Sequence, residues 1–111
     1  MAVFIPQKGD FISYFFSGQT GHEQHGRRPA LVISNDLFNQ QTGMTMVCPI
    51  TNSDRGYPFH LPIPAGHKIF GTVMVDQMRT IDYQARKVRF LDNAPDSLVE
   101  EALLILDRIV N

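Results

Sequence analysis

A chain of 111 residues has room for one hydrophobic core, and 43% hydrophobic against 19% charged residues places it among ordinary globular domains. The single cysteine, Cys48, excludes an intrachain disulfide, and no apolar run approaches the roughly 20 residues that a membrane-crossing helix needs. The net charge of −1 is unevenly spread: residues 92–111 hold five acidic side chains and one basic, the rest six acidic and nine basic, so one face can meet an anionic partner.

Val3-Phe4-Ile5 is cut off by Pro6, too short for a signal-peptide core, and the expected compartment is the cytoplasm. Asp10 to Phe16 is aromatic and β-rich, with Gly9 ahead and Gly18 behind, and predicts a first strand. A polar loop follows, Thr20-Gly21-His22-Glu23-Gln24-His25-Gly26-Arg27-Arg28-Pro29. It feeds the apolar run from Ala30 to Ser34, a well-buried second strand. Asn35-Asp36 caps a helical turn through Asn39 that Gly43 ends. Met44–Thr51 predicts a third strand and Phe59–Ile63 a fourth, which Pro58, Pro62 and Pro64 push to a sheet edge. Gly71–Val75 predicts a fifth, with short strands around Thr80-Ile81 and Val88–Leu91. From Pro95 the period changes. Leu98, Ala102, Ile105 and Ile109 form one helical stripe and Val99, Leu103, Leu106 and Val110 the next, a wide face expected to pack on the sheet, while Ser97-x-x-Glu100 marks the first turn. The expected fold is one mainly β domain over residues 1–111: a small twisted antiparallel sheet or partly open barrel, with short helices and one C-terminal helix. Its long edges and large apolar fraction favour dimerisation.

The polar loop draws attention because it gathers two imidazoles, a carboxylate and two guanidiniums. His22-Glu23-Gln24-His25 is one residue short of the helical zinc-protease spacing, and no second cluster completes a site, so no metal is expected. Nor does any serine stand in a nucleophile elbow, and no glycine-rich phosphate cradle implies a nucleotide cofactor. The remaining set is Glu23, Arg28, Thr51 with Asn52, and Asp76-Gln77 with Arg79. Cleaving RNA without a metal needs a base for the 2′-OH, an acid for the leaving 5′-oxygen and cationic donors on the crowded phosphate. These residue types supply those parts. They fit ordinary structural roles as well: Glu23 with Arg28 as a surface ion pair, Thr51 as a strand-end hydroxyl, Asp76 as a turn carboxylate.

At these same residues the sequence resembles the MazF/PemK (Kid) family of toxin endoribonucleases. The resemblance runs through Gly9-Asp10, Gly21-His22-Glu23-Gln24, Arg28-Pro29, Phe38-Asn39, Pro49-Ile50-Thr51, Gly56-Tyr57-Pro58-Phe59, Asp76-Gln77 and Arg79-Thr80-Ile81-Asp82. The C-terminal Glu100-Glu101-Ala102-Leu103-Leu104 is similar to the ChpB-like branch. The resemblance implies a homodimer of SH3-like barrels that cuts single-stranded mRNA without a metal, leaving a cyclic phosphate and a 5′-hydroxyl, and that is held in check by a MazE-like antitoxin with an acidic tail. It implies catalytic roles for Arg28, Thr51, Glu23, His22 and Asp76, the last as a general base. RNA contacts are expected from Asn52, Phe59, Tyr57, Gln77, Arg79 and Arg27. Two residues depart from the Kid pattern: Met74 stands where Kid has an arginine acid, and Asn52 where it has a serine. CcdB-type toxins share the fold but bind DNA gyrase and cut nothing, which gives the alternative reading.

Overall fold

The computed structural model describes residues 4–16, 26–53 and 56–111. In chain order they form β1 (Asp10–Phe15), β2 (Arg27–Val32), α1 (Asp36–Thr42), β3 (Met44–Thr51), β4 (His60–Pro62), β5 (Thr72–Met74), a 3₁₀ turn (Val75–Gln77), β6 (Arg79–Asp82), β7 (Arg89–Asn93) and α2 (Asp96–Val110). The strands make one antiparallel sheet in the order β4-β5-β3-β2-β1-β7, with β6 also paired to β3. β3 organises it. One of its edges takes β2, and the other takes β6 at Met44–Val47 and then β5 at Ile50-Thr51. The 3₁₀ turn fills the gap between β5 and β6.

Alternation along the strands feeds two cores on opposite faces. Phe11, Leu31, Cys48 and Val73 pack beneath Leu98, Val99 and Ala102 of α2. Ile12, Tyr14, Ala30, Val32, Val47 and Ile81 make the smaller core on the other face. A bulge between Phe11 and Ile12 shifts the β1–β7 register.

The expected elements are present, with two corrections. β2 starts at Arg27 rather than Ala30, because Arg27, Arg28 and Pro29 pair with Phe15, Tyr14 and Ser13. α2 starts at Asp96 after Pro95 as its N-cap, where Pro95 and Ser97-x-x-Glu100 mark it, with no side-chain capping bond. Its apolar face packs through Ile105 and Leu106 but not at the last turn: Ile109 and Val110 are exposed, as is Leu103. α1 is bounded as its sequence dictates. The Asn35 side chain accepts the Phe38 N–H at 2.8 Å, and Gly43 closes the helix at φ 71°.

A buried polar knot ties α1 to the sheet. Asn39 Nδ2 donates to the Pro6 carbonyl, Asn39 Oδ1 accepts from Ser34 Oγ, and the Tyr83 hydroxyl donates to the Asn39 carbonyl. Ser34 Oγ lies 3.2 Å from Thr45 Oγ1 and accepts the Met46 N–H.

Candidate functional site

The ladder between β2 and β3 covers only Ala30–Val32 against Val47–Pro49. It stops at two prolines, Pro29 and Pro49, which have no N–H to offer a neighbouring strand. Beyond that point β2 stays paired with β1, and β3 turns to β5. A groove of about 700 Å³ opens there, with Arg28 and Thr51 both on its walls. Gln77 at the end of the 3₁₀ turn, Met78 after it and Arg79 at the start of β6 close it, and Asn52, Met74 and Phe16 complete the rim.

Positive charge is held ready in this groove. The guanidiniums of Arg28 and Arg79 lie over the Phe16 ring, 5.7 and 5.2 Å from its centroid. The ring's negative faces help two like charges to stand close together. Arg28 is exposed, so its planar fork remains open to a phosphate. Arg27 behaves differently. Its Nε and Nη2 bond Ser13 Oγ at 3.0 and 2.8 Å, Nη2 reaches the Lys87 carbonyl at 2.7 Å, and the guanidinium caps Phe15. It lines the groove as a strut between β1 and the β6–β7 connection.

Thr51 Oγ1 accepts the Ser53 N–H at 3.1 Å, which leaves its own proton to donate elsewhere. The strand end around it is tightly enclosed by Gly71, whose φ of +126° and closeness to the Thr51 carbonyl suit glycine alone. Met74 occupies the groove where the Kid pattern would put an arginine.

Other expected site residues stand elsewhere. Asp76 is not among the groove-lining residues; its carboxylate meets His60 Nε2 at 3.0 Å. Tyr57 and Phe59 are exposed on the connection between β3 and β4, also outside the lining, with Tyr57 edge-on to His60. His22, Glu23 and His25 lie outside the described residues. Burial pushes the Cys48 thiol up to about 12, with help from the charge of Asp76, which leaves it a poor nucleophile. Sequence reasoning passed over Phe16 and Gly71. Phe16 looked like the end of a strand, and only the strand pairing brings Arg28 and Arg79 to its ring.

The sequence pattern described as "PemK-like, MazF-like toxin of type II toxin-antitoxin system" matches residues 7–110. The chain belongs to this toxin family. It is 42% identical over 109 residues to the endoribonuclease toxin ChpB of Escherichia coli K12, covering 94% of this chain and 93% of that one. The endoribonuclease toxin MazF of the same strain is 37% identical over 83 residues, 75% of this chain and 74% of its own. Among solved structures, the MazE–MazF complex of Deinococcus radiodurans superposes with a TM-score of 0.87 at 32% identity, covering 98% of each chain. The fold of this chain is therefore that of a MazF-type toxin. Among the described residues no helix is long and apolar enough to cross a membrane.

Proposed function

We propose that this PemK/MazF-type toxin is a cytoplasmic endoribonuclease that cuts single-stranded mRNA in the groove between Arg28 and Thr51, without a metal. The observation that supports this reading most is the pairing of family membership with a groove that presents two guanidiniums stacked on Phe16 and the Thr51 hydroxyl. In the reaction the substrate's 2′-oxygen forms a bond to the adjacent phosphorus, and the bond from phosphorus to the 5′-oxygen breaks. The products are a 2′,3′-cyclic phosphate and a 5′-hydroxyl, the leaving 5′-oxygen taking its proton from water, while the proton taken up by Glu23 returns to solvent. Glu23, with His22 beside it in sequence, takes the proton of the 2′-OH. Arg28 grips the phosphate oxygens as charge builds on them, and the Thr51 hydroxyl donates to the same oxygens. An arginine holds its proton too tightly to release it quickly, so the role of Arg28 is electrostatic. Gln77, Asn52 and Arg79 line the path of the flanking nucleotides. The active form is a homodimer, and a MazE-like antitoxin covers the groove with an acidic tail.

The test is digestion of a long RNA by the purified protein in excess EDTA, with the new 5′ ends sequenced. The expected result is cutting at one short motif, blocked by a 2′-deoxy or 2′-O-methyl nucleotide at the cut position. Arg28→Ala should slow cleavage by about a hundredfold or more while the protein stays folded, and Thr51→Val should be slow for the same reason. Arg28→Lys should rescue poorly, because one ammonium does not reproduce a planar two-pronged grip. Full activity in Arg28→Ala overturns the assignment.

A further inference from the structure

Asp76 carries the carboxylate that the family resemblance marks for proton transfer, yet it faces away from the groove. The 3₁₀ turn that holds it advances by about 120° per residue, so Asp76 and Gln77 leave the backbone in different directions. Gln77, Met78 and Arg79 line the groove, whereas Asp76 Oδ1 sits 3.0 Å from His60 Nε2 on β4. The charge of Asp76 is also felt by Cys48, which belongs to the core on the α2 side of the sheet.

His60 is built to hold that carboxylate. Its side chain is 5% exposed, its ring packs edge-on against Tyr57 with centroids 5.1 Å apart, and its N–H bonds the Tyr57 carbonyl at 3.1 Å. Nδ1 is buried and has no hydrogen-bond partner among the described residues, so the ring proton belongs on Nε2, where Asp76 accepts its hydrogen bond. The turn is tied down again just before β4 by the Val75 N–H, which bonds the Phe59 carbonyl at 3.2 Å. Two bonds, one to His60 on β4 and one to Phe59 just before it, thus fix both the depth and the rotation of the turn.

We propose that His60 and Asp76 form a clamp behind the groove that fixes the turn presenting Gln77 and Arg79 to RNA, and that Asp76 is a positioning residue which takes no proton from the substrate. The proposal rests on the reading of the groove as the RNA site. It separates two jobs that a carboxylate at this position could do, and one substitution distinguishes them. Asp76→Asn keeps an oxygen to accept from His60 Nε2 and removes the basicity.

The experiment is steady-state cleavage of an oligoribonucleotide carrying the mapped cut motif, together with amide hydrogen exchange at Met78, whose N–H bonds the Val75 carbonyl inside the turn. Asp76→Asn should hold kcat and KM within about threefold, since a lost general base would cost about a hundredfold or more in kcat. His60→Ala should raise KM by about tenfold and speed exchange at Met78, and His60→Gln, whose amide N–H reaches the place of Nε2, should restore both. A hundredfold fall in kcat for Asp76→Asn with KM unchanged overturns the proposal. So does native protection of Met78 in His60→Ala. The exchange measurement needs no cleavage, so it judges the clamp even if the unaltered protein or Arg28→Ala shows that the groove is not the RNA site.

Discussion

A methyl group added at Gly71 would lie 2.5 Å from the Thr51 carbonyl oxygen and 3.0 Å from Asn52 Oδ1, on a backbone with φ of +126°. Neither strain has a soft way out, because the nearer atom is main chain. Gly71→Ala should therefore cost about 2 kcal/mol or more of stability, read by urea unfolding. It should also displace Thr51, so that cleavage by the folded fraction falls as well. An Ala variant that unfolds and cuts like the unaltered protein would show that Gly71 does not set the strand end. The neighbouring arginines teach a related lesson about single residues. Arg27 and Arg28 are alike in the sequence, but alternation along β2 sends one onto Ser13 and Phe15 and the other to the exposed rim beside Phe16.

Between β4 and β5 the chain is fastened to β7 by one carboxylate. Asp92 Oδ2 accepts the Lys68 N–H at 3.1 Å and meets His67 Nδ1 at 3.3 Å, while Oδ1 accepts the Asn93 N–H at 2.8 Å. The Lys68 and Asn93 amides hold its pKa below the ordinary 3.8. A carboxyl lowered on folding contributes stability that is fully present above its unfolded value and is lost as pH falls through the folded one. The gap in Tm between the unaltered protein and Asp92→Asn should thus be steady near neutrality and close below about pH 3.8. A gap that persists in strong acid would remove the carboxylate from the account. Elements of this kind differ in how far the sequence reveals them. β3 was readable to the residue as Met44–Thr51, and α1 through Asn35 and Gly43, because their signals are local. The start of β2 was hidden by Pro29, which reads as a strand breaker until β3 is seen to leave its edge free. Arg28 and Thr51 were singled out by residue types and family resemblance, and both line one groove. The direction of Asp76 could not be read in this way, since it depends on a histidine sixteen residues away.

For the molecule as a whole, the groove is short and its rim carries the exposed Phe16 and Met78. One copy offers too little surface for a run of nucleotides, so sedimentation should show a dimer, and a stable monomer with full activity would refute it. The polar knot sets a different requirement on the whole chain. Asn39→Ala strips partners from Ser34 and the Pro6 carbonyl and should cost about 3 kcal/mol, against about 1 for Thr45→Val, which removes one bond and keeps the shape. Equal costs in urea unfolding would mean that the knot is not a connected network. Its members come from positions 6, 34, 39, 45 and 83, so it closes only after segments distant in sequence have met. A slip of β3 by one residue against β2 would carry Thr45 to the opposite face and take from the buried Ser34 hydroxyl its contacts with Thr45 and the Met46 N–H. The knot thus adds little to the speed of folding and much to its fidelity: it is the feature that tells the native strand pairing from its nearest misfolded neighbour.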